Sequence, residues 1–276
     1  MAFNLRDIDE TQAPLLEHLI ELRGRLVKCV LALGVAFAVC LYFARDIFGL
    51  LVRPLTNAFP PGQGRLVYTK LYEAFFVEIK VALFAAFLVA FPIIANQLWA
   101  FVAPGLYAKE KKAFLPFILA TPVLFIAGAS LAYFVVMPTA FKWFLGFQGV
   151  TGGIHQEALP AMGDYLDLVM RFILAFGVSF LLPVLLLLLN RAGLVTRKQF
   201  AGSRRYVIVG IFILAAVVTP PDVFSQVVLA VPLLALFEGS LLIMYVSERK
   251  AAKVAAQEEA EPVTPAATTE QTSQSS

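Results

Sequence analysis

Residues 81–108 read VALFAAFLVAFPIIANQLWAFVAPGLYA, a run of 28 residues without a charged side chain. A helix needs about 20 predominantly apolar residues to cross the hydrocarbon core of a bilayer, and this run is longer than that. Similar runs recur along a chain of 276 residues that is 60% hydrophobic and 15% charged, whereas a soluble domain is about a quarter charged. The sequence therefore predicts an all-α integral membrane protein.

Six apolar runs are long enough, or nearly long enough, to be transmembrane helices. The fifth run and the apolar part of the sixth are short, which is typical either of a partner-binding edge or of ordinary variation in span length. Prolines within the runs predict kinks and a concave bundle. The predicted membrane domain covers residues 1–248, and a polar cytoplasmic tail, 249–276, is predicted to be disordered. The predicted spans are residues 26–44, 74–102, 113–137, 165–190, 205–219 and 223–246.

The distribution of Lys and Arg predicts the orientation of the chain. With six spans, 15 of the 22 basic residues fall in segments on the side of the N-terminus and only 5 on the opposite side. Positively charged loops stay in the cytoplasm. Both termini are therefore expected to be cytoplasmic.

The sequence contains no motif of a common enzyme class. It has no HExxH, GxSxG or GxxxxGK[ST] motif, and nothing places its two histidines, His18 and His155, together. The two cysteines do not form a metal-binding pattern, and a net charge of +3 gives no reason to expect nucleic acid binding. We expect neither enzymatic activity nor a cofactor.

Acidic side chains at the predicted cytoplasmic boundary are candidate binding residues. Glu21 can pair with Arg25 across one helical turn, and Glu110 lies among Lys109, Lys111 and Lys112. Either residue could simply belong to a solvated, charge-balanced face. If they face each other, the two carboxylates would suit a guanidinium group, which binds carboxylates through two parallel hydrogen bonds.

Polar groups inside the predicted spans are the second set of candidates, because such groups are costly in lipid. Arg171 could snorkel or pair with Asp164 or Asp167, and Glu238 could reach the headgroups. Arg171, Gln226 and Glu238 could alternatively form the coupling pathway of a secondary transporter for a small solute or ion. Flux through liposomes that contain only this chain would favour that alternative.

Two outer loops have recognisable features. Residues 48–59, with Pro54 among them, predict a short interfacial helix on the outer side. A tight turn at residues 219–222 ends the fifth span with two prolines, and Asp222 can cap the sixth.

Several of these segments together resemble the TatC family, the large subunit of the twin-arginine protein translocase. The resemblance covers nearly the whole chain except the tail, and the order and spacing of the motifs make it specific. The matching segments are HLIELR at 18–23, PL at 54–55, QLWAFVAPGLY at 97–107, YF at 133–134, FGVSF at 176–180 and TPPDVFSQ at 219–226.

The resemblance implies a receptor in the cell inner membrane that binds the twin-arginine signal peptides of folded proteins. It implies that Glu21 and Glu110 bind the signal arginines, near Arg23, and that single-span TatA- and TatB-like partner subunits dock at Thr219 and Gln226 in a hetero-oligomer. Transport would then be driven by the proton motive force. The residues expected to shape the first cytoplasmic loop are Phe101, Pro104, Leu106 and Tyr107.

The chain departs from the family pattern at one position. Family members often have a polar or acidic residue just before the proline of span four, where this chain has Leu181 and Leu182 before Pro183. A buried carboxylate at that point therefore has no part in the mechanism of this protein.

Overall fold

The structure is a computed structural model that describes residues 6–60, 64–106, 111–191, 193–219 and 223–260. These residues form an α-helical bundle with one small hairpin outside it. The α-helices are α1 (Arg6–Tyr42), α2 (Ala44–Thr56), α3 (Glu73–Leu106), α4 (Lys111–Leu131), α5 (Met137–Leu145), α6 (Met162–Ser179), α7 (Leu182–Arg191), α8 (Arg197–Gly202), α9 (Arg204–Val218) and α10 (Val223–Ala260). A π-helical segment, Ala132–Val136, joins α4 to α5, and the strands β1 (Gly149–Thr151) and β2 (Ile154–Gln156) pair antiparallel.

Five helical segments in the described residues are long and apolar enough to cross a membrane: Leu19–Tyr42, Glu73–Phe101, Pro116–Leu145, Met162–Arg191 and Val223–Arg249. The predicted fifth span corresponds to α9, which has only 15 residues. At 1.5 Å per residue α9 is about 22 Å long, less than the roughly 30 Å of a hydrocarbon core. The protein is thus a multi-spanning helical membrane protein.

One expected span ends later than predicted and another is interrupted. The third was expected to end at residue 137, but the helical path continues through the π-helical segment and α5 to Leu145. The fourth is interrupted at Phe180 and Leu181, and α7 begins immediately before Pro183. Proline has no N–H group for the helix ladder and its ring collides with the preceding turn, which explains the interruption.

The sixth expected span, residues 223–246, lies within one long helix. The helix α10 has 38 residues and passes Glu238 without a break, and the Arg204 side chain of α9 donates to the Glu238 carboxylate at 3.0 Å. The helix also continues to Ala260, into the segment that was expected to be disordered from residue 249. Residues 261–276 lie outside the described part of the chain.

The core of the bundle is centred on α6. Leu166, Val169, Phe172 and Phe176 of α6 are fully buried, and residues of α3, α5, α9 and α10 pack around them. Two glycines permit the closest approach, between α4 and α6. A Cβ atom at Gly128 would lie 2.8 Å from the Phe180 ring and would collide with the Phe176 carbonyl, and one at Gly177 would lie 2.6 Å from the Phe125 ring.

The two ends of the bundle differ in charge and structure. The basic end carries the C-termini of α7 and α10, and its described cations include Arg23, Arg25, Arg191, Arg197, Lys198, Arg204, Arg205 and Arg249. The hairpin end carries α2, the β1–β2 hairpin and the turn between α9 and α10. The Trp143 ring of α5 stacks on the Phe224 ring of α10 at the hairpin end, with the ring centroids 5.0 Å apart.

The predicted outer helix is present as α2, shifted a few residues towards the N-terminus. Pro54 lies inside α2 and is buried. Because proline lacks an N–H group, the Leu50 carbonyl four residues earlier loses its partner in the helix. The Tyr133 hydroxyl, from the π-helical segment, donates to this carbonyl at 2.6 Å. The neighbouring Leu51 carbonyl accepts from the Tyr165 hydroxyl of α6 at 2.8 Å.

This arrangement predicts that Tyr133→Phe destabilises the protein by about 0.5–1.5 kcal/mol, the usual net contribution of one hydrogen bond. The effect should shrink in a Pro54→Ala background, because alanine restores the N–H donor to Leu50 within α2. Thermal unfolding of the two single variants and the double variant in detergent measures the coupling. Equal losses in both backgrounds would mean that Tyr133 does not compensate for Pro54.

Candidate functional site

The carboxylate of Glu21 already holds a guanidinium group. Arg25, one turn further along α1, donates from Nε to Glu21 Oε1 at 3.1 Å, and its Nη2 atom donates to the same oxygen. This confirms the pairing expected from their spacing. The Glu21 side chain is 39% exposed and that of Arg25 is 22% exposed. The carboxylate is therefore within reach of a second basic group.

Packing between α1 and α3 places Glu21 at the basic end. Cys40 of α1 packs against Ala82 and Ala86, near the start of α3. The two helices run antiparallel, so the N-terminal part of α1 lies beside the C-terminal part of α3. Glu21 and Phe101 consequently share the basic end of the bundle, and Phe101 is half-buried there.

The structure describes the predicted loop residues only in part. Arg23 is exposed on α1, and Pro104 and Leu106 belong to the last turns of α3. The side chains of Pro104 and Leu106 lie outside the described residues, as do Tyr107 and Glu110 altogether. The second carboxylate of the predicted pair therefore remains a prediction.

An apolar cavity of about 540 Å³ opens between α3, α4, α6 and α7. Leu181 and Leu182, where many family members have a polar group, form part of its wall. Its polar groups include Trp99, whose Nε1 donates to the Thr121 hydroxyl at 2.7 Å, and Thr121 donates onward to the Phe117 carbonyl at 2.7 Å. Sequence reasoning missed Thr121, although a Trp N–H inside a bundle needs an acceptor.

The polar residues predicted for partner contact lie at the hairpin end. Thr219 ends α9, is buried, and donates its hydroxyl to the Ala215 carbonyl at 2.8 Å. Gln226 lies in the first turn of α10 and is half-buried, next to the buried Ser225. Asp222 lies outside the described residues. The short α9 leaves much of its apolar surface exposed: Ile208, Val209, Phe212, Ile213 and Val217.

The residues proposed for a transporter pathway are not brought together. Glu238 pairs with Arg204 and lies 12 residues along α10 from Gln226, a distance of about 18 Å at 1.5 Å per residue. Asp167, an expected partner of Arg171, accepts instead from Lys80 of α3 at 3.1 Å. Arg171 is exposed on α6.

Glu73 is a structural carboxylate that the sequence reasoning missed. Its Oε2 atom accepts from the Thr69 amide at 2.9 Å, and its Oε1 atom accepts from the Gly163 amide at 2.8 Å. It thus joins the loop before α3 to the start of α6. Glu73 could have been found from its position, because an acidic side chain in the first turn of a helix interacts favourably with the helix N-terminus.

The organisation described above is that of a known family. The family model described as Sec-independent protein translocase protein (TatC) matches residues 17–232. The chain belongs to the TatC family. The TatC protein of Magnetococcus marinus is 49% identical over 252 residues, covering 91% of both chains. The Escherichia coli K12 TatC protein is 40% identical over 84% of this chain and 87% of its own length.

Solved structures agree with this assignment. The crystal structure of the twin-arginine translocase receptor TatC in DDM superposes with a TM-score of 0.73 at 37% identity, covering 82% of this chain and 99% of the other. A second crystal structure of that receptor gives a TM-score of 0.72, also at 37% identity, over 84% of this chain and 99% of the other. The resemblance stated from the motifs is therefore confirmed. As a TatC protein, the chain is a subunit of the twin-arginine protein translocase, a transport component and not an enzyme.

Proposed function

We propose that this TatC protein is the signal-peptide receptor of its translocase and that Glu21 binds a signal arginine at the basic end. The observation that carries the proposal is the Glu21–Arg25 contact, a guanidinium held by a carboxylate that stays partly exposed. Glu110 supplies the second carboxylate, and Arg23, Phe101, Pro104, Leu106 and Tyr107 shape the surface around it. The similarity to the solved twin-arginine translocase receptor TatC supports the same role.

The apolar cavity accepts the hydrophobic part of the signal peptide. Its wall of leucine, phenylalanine and alanine side chains suits an uncharged segment, and the cavity lies along the bundle from the basic end where the arginines bind. Because Leu181 and Leu182 replace a polar group there, the contact is mainly apolar.

The topology completes the proposal: six spans, with α9 as the fifth, and both termini in the cytoplasm of a cell with the protein in its inner membrane. Basic residues are in excess at the end of the bundle that carries Glu21, and this excess supports the orientation. TatA- and TatB-like single-span subunits dock on the exposed apolar side of α9, near Thr219 and Gln226, where a short span leaves the membrane thin.

The function is tested by binding of a fluorescent signal peptide with two arginines to the purified full chain, beside a peptide with two lysines. Carboxylates pair with guanidinium through two hydrogen bonds, whereas an ammonium is a point charge. The arginine peptide is expected to bind more tightly, and equal binding of the two peptides would contradict the receptor proposal.

Arg25 competes with the incoming peptide, because it occupies the carboxylate that the signal arginine needs. Exposed ion pairs one turn apart are worth about 0.3–0.5 kcal/mol. The variant Arg25→Gln should therefore bind the twin-arginine peptide about twofold more tightly. Peptide titration at low ionic strength measures the change, with Arg205→Gln as a control that removes a positive charge elsewhere at the basic end. Weaker binding by Arg25→Gln alone would show that Arg25 assists binding.

A further inference from the structure

A second apolar groove opens between α4, α7 and α10, and it shares Val184 with the cavity at Leu181. Its volume is about 450 Å³. Small side chains make the space: Ala120 on α4, with Ala235 and Gly239 on α10. A Cβ atom added at Gly239 would meet no atom within 4 Å, so the groove is open at this point.

One end of the groove is polar and positively charged. Asn190, Arg191 and Ser247 line it there, at the basic end of the bundle. The Arg191 guanidinium carbon lies 5.4 Å from the centre of the Phe117 ring, a cation–π contact that holds the charge at the mouth of the groove. The Asn190 side chain donates to the Val195 carbonyl at 3.2 Å, which positions the turn behind it.

The surroundings of this mouth carry excess positive charge. Arg197 and Arg249 both lie over the Tyr245 ring, at 4.9 Å and 4.8 Å, and Lys198 is exposed nearby in sequence. Two carboxylates of α10 on this part of the helix are already paired, Glu248 with Arg197 and Glu238 with Arg204. The field at the mouth therefore favours an anion.

The length of the groove matches that of one lipid chain. From Ala235 to Ser247 the groove follows α10 for about 18 Å at 1.5 Å per residue, slightly more than one leaflet of a core roughly 30 Å thick. A single hydrocarbon chain is narrow enough to enter.

We propose that this groove binds an acyl chain of an anionic phospholipid whose phosphate is held by Arg191 at the basic end of the bundle. Basic pockets between transmembrane helices on the cytoplasmic side suit anionic headgroups, and the orientation proposed above places this mouth in the cytoplasmic leaflet. The bound lipid fills the gap between α4 and α10 and ties both helices to α7.

The test is lipid retention by the purified full chain, without any signal peptide. The protein is delipidated in a neutral detergent and titrated with phosphatidylglycerol or, separately, phosphatidylcholine, and bound lipid is counted by native mass spectrometry. The wild type should bind one phosphatidylglycerol in preference to phosphatidylcholine by about fivefold, as expected for one Arg near an anionic surface. The Arg191→Gln variant should lose this preference, and Gly239→Phe should lose the bound lipid of either kind.

Lys198→Gln is the matched control, because it removes the same charge from the same end but does not line the groove. It should keep the wild-type preference. The proposal fails if phosphatidylcholine binds the wild type equally well, if Lys198→Gln loses as much preference as Arg191→Gln, or if Gly239→Phe retains the lipid. Displacement of the lipid by millimolar inorganic phosphate would also overturn it, since the site would then recognise a free anion.

Discussion

Replacing Glu21 with alanine is expected to weaken binding of a twin-arginine signal peptide by at least tenfold. A hydrogen bond to a charged group contributes about 1.5–3 kcal/mol, and each 1.4 kcal/mol is a factor of ten in affinity. The contact between Glu21 and Arg25 indicates that this partly exposed carboxylate accepts a guanidinium. Fluorescence titration or site-specific crosslinking of the peptide to the full chain in detergent measures the loss.

Glu78→Ala is the matched control for this experiment. Glu78 is also partly exposed and accepts from an arginine, Arg45 Nε at 3.1 Å, but it lies near the hairpin end. This variant should bind the peptide as the wild type does. If Glu21→Ala, Glu110→Ala and the double variant all keep wild-type affinity, the carboxylates are not the receptor site.

The second large effect is expected for Gly128→Val, which should destabilise the bundle by about 3 kcal/mol, the upper part of the usual cost of overpacking. The added side chain would collide with the backbone of α6 at Phe176 and with the Phe180 ring 2.8 Å away. Small residues permit close helix contacts in membranes, where packing itself drives association. Thermal unfolding in detergent and the yield of folded protein would measure the loss.

Gly34→Val is the matched control, since Gly34 also lies in a spanning helix but a Cβ atom there would meet nothing within 4 Å. It should unfold at nearly the wild-type temperature. If both variants unfold alike, β-branching within the helix and not the contact between α4 and α6 explains the loss.

Some of the candidate site could be predicted from local sequence. The spacing of Glu21 and Arg25 sufficed to predict their pairing, because residues four apart share a helix face. The same reasoning suggested Asp167 as a partner for Arg171, yet Asp167 pairs with Lys80, which lies 87 residues earlier in the chain. Sequence spacing predicts contacts within one helix. It does not predict whether a residue of another helix will be the partner instead.

Proline positions illustrate the same limit. Pro183 lies within a predicted span and was expected to disturb its helix, and the interruption before it is present. Pro54 leaves the Leu50 carbonyl without a helical donor, and the Tyr133 hydroxyl donates to it instead. This contact depends on how the π-helical segment is placed against α2. Similarly, Glu238 was expected to reach the headgroups, whereas the structure gives it a partner on another helix, Arg204 of α9.

The sequence by itself determined the helical membrane class, the family and the end of the chain where basic residues gather, because hydrophobic run length, motif order and charge distribution are properties of the linear chain. Only the tertiary structure decided which helices meet, which polar groups find partners, and where the cavity at Leu181 and the groove at Arg191 open. These features depend on contacts between residues far apart in sequence, and in lipid such contacts are set by side-chain packing and interhelical hydrogen bonds, which hydropathy does not encode.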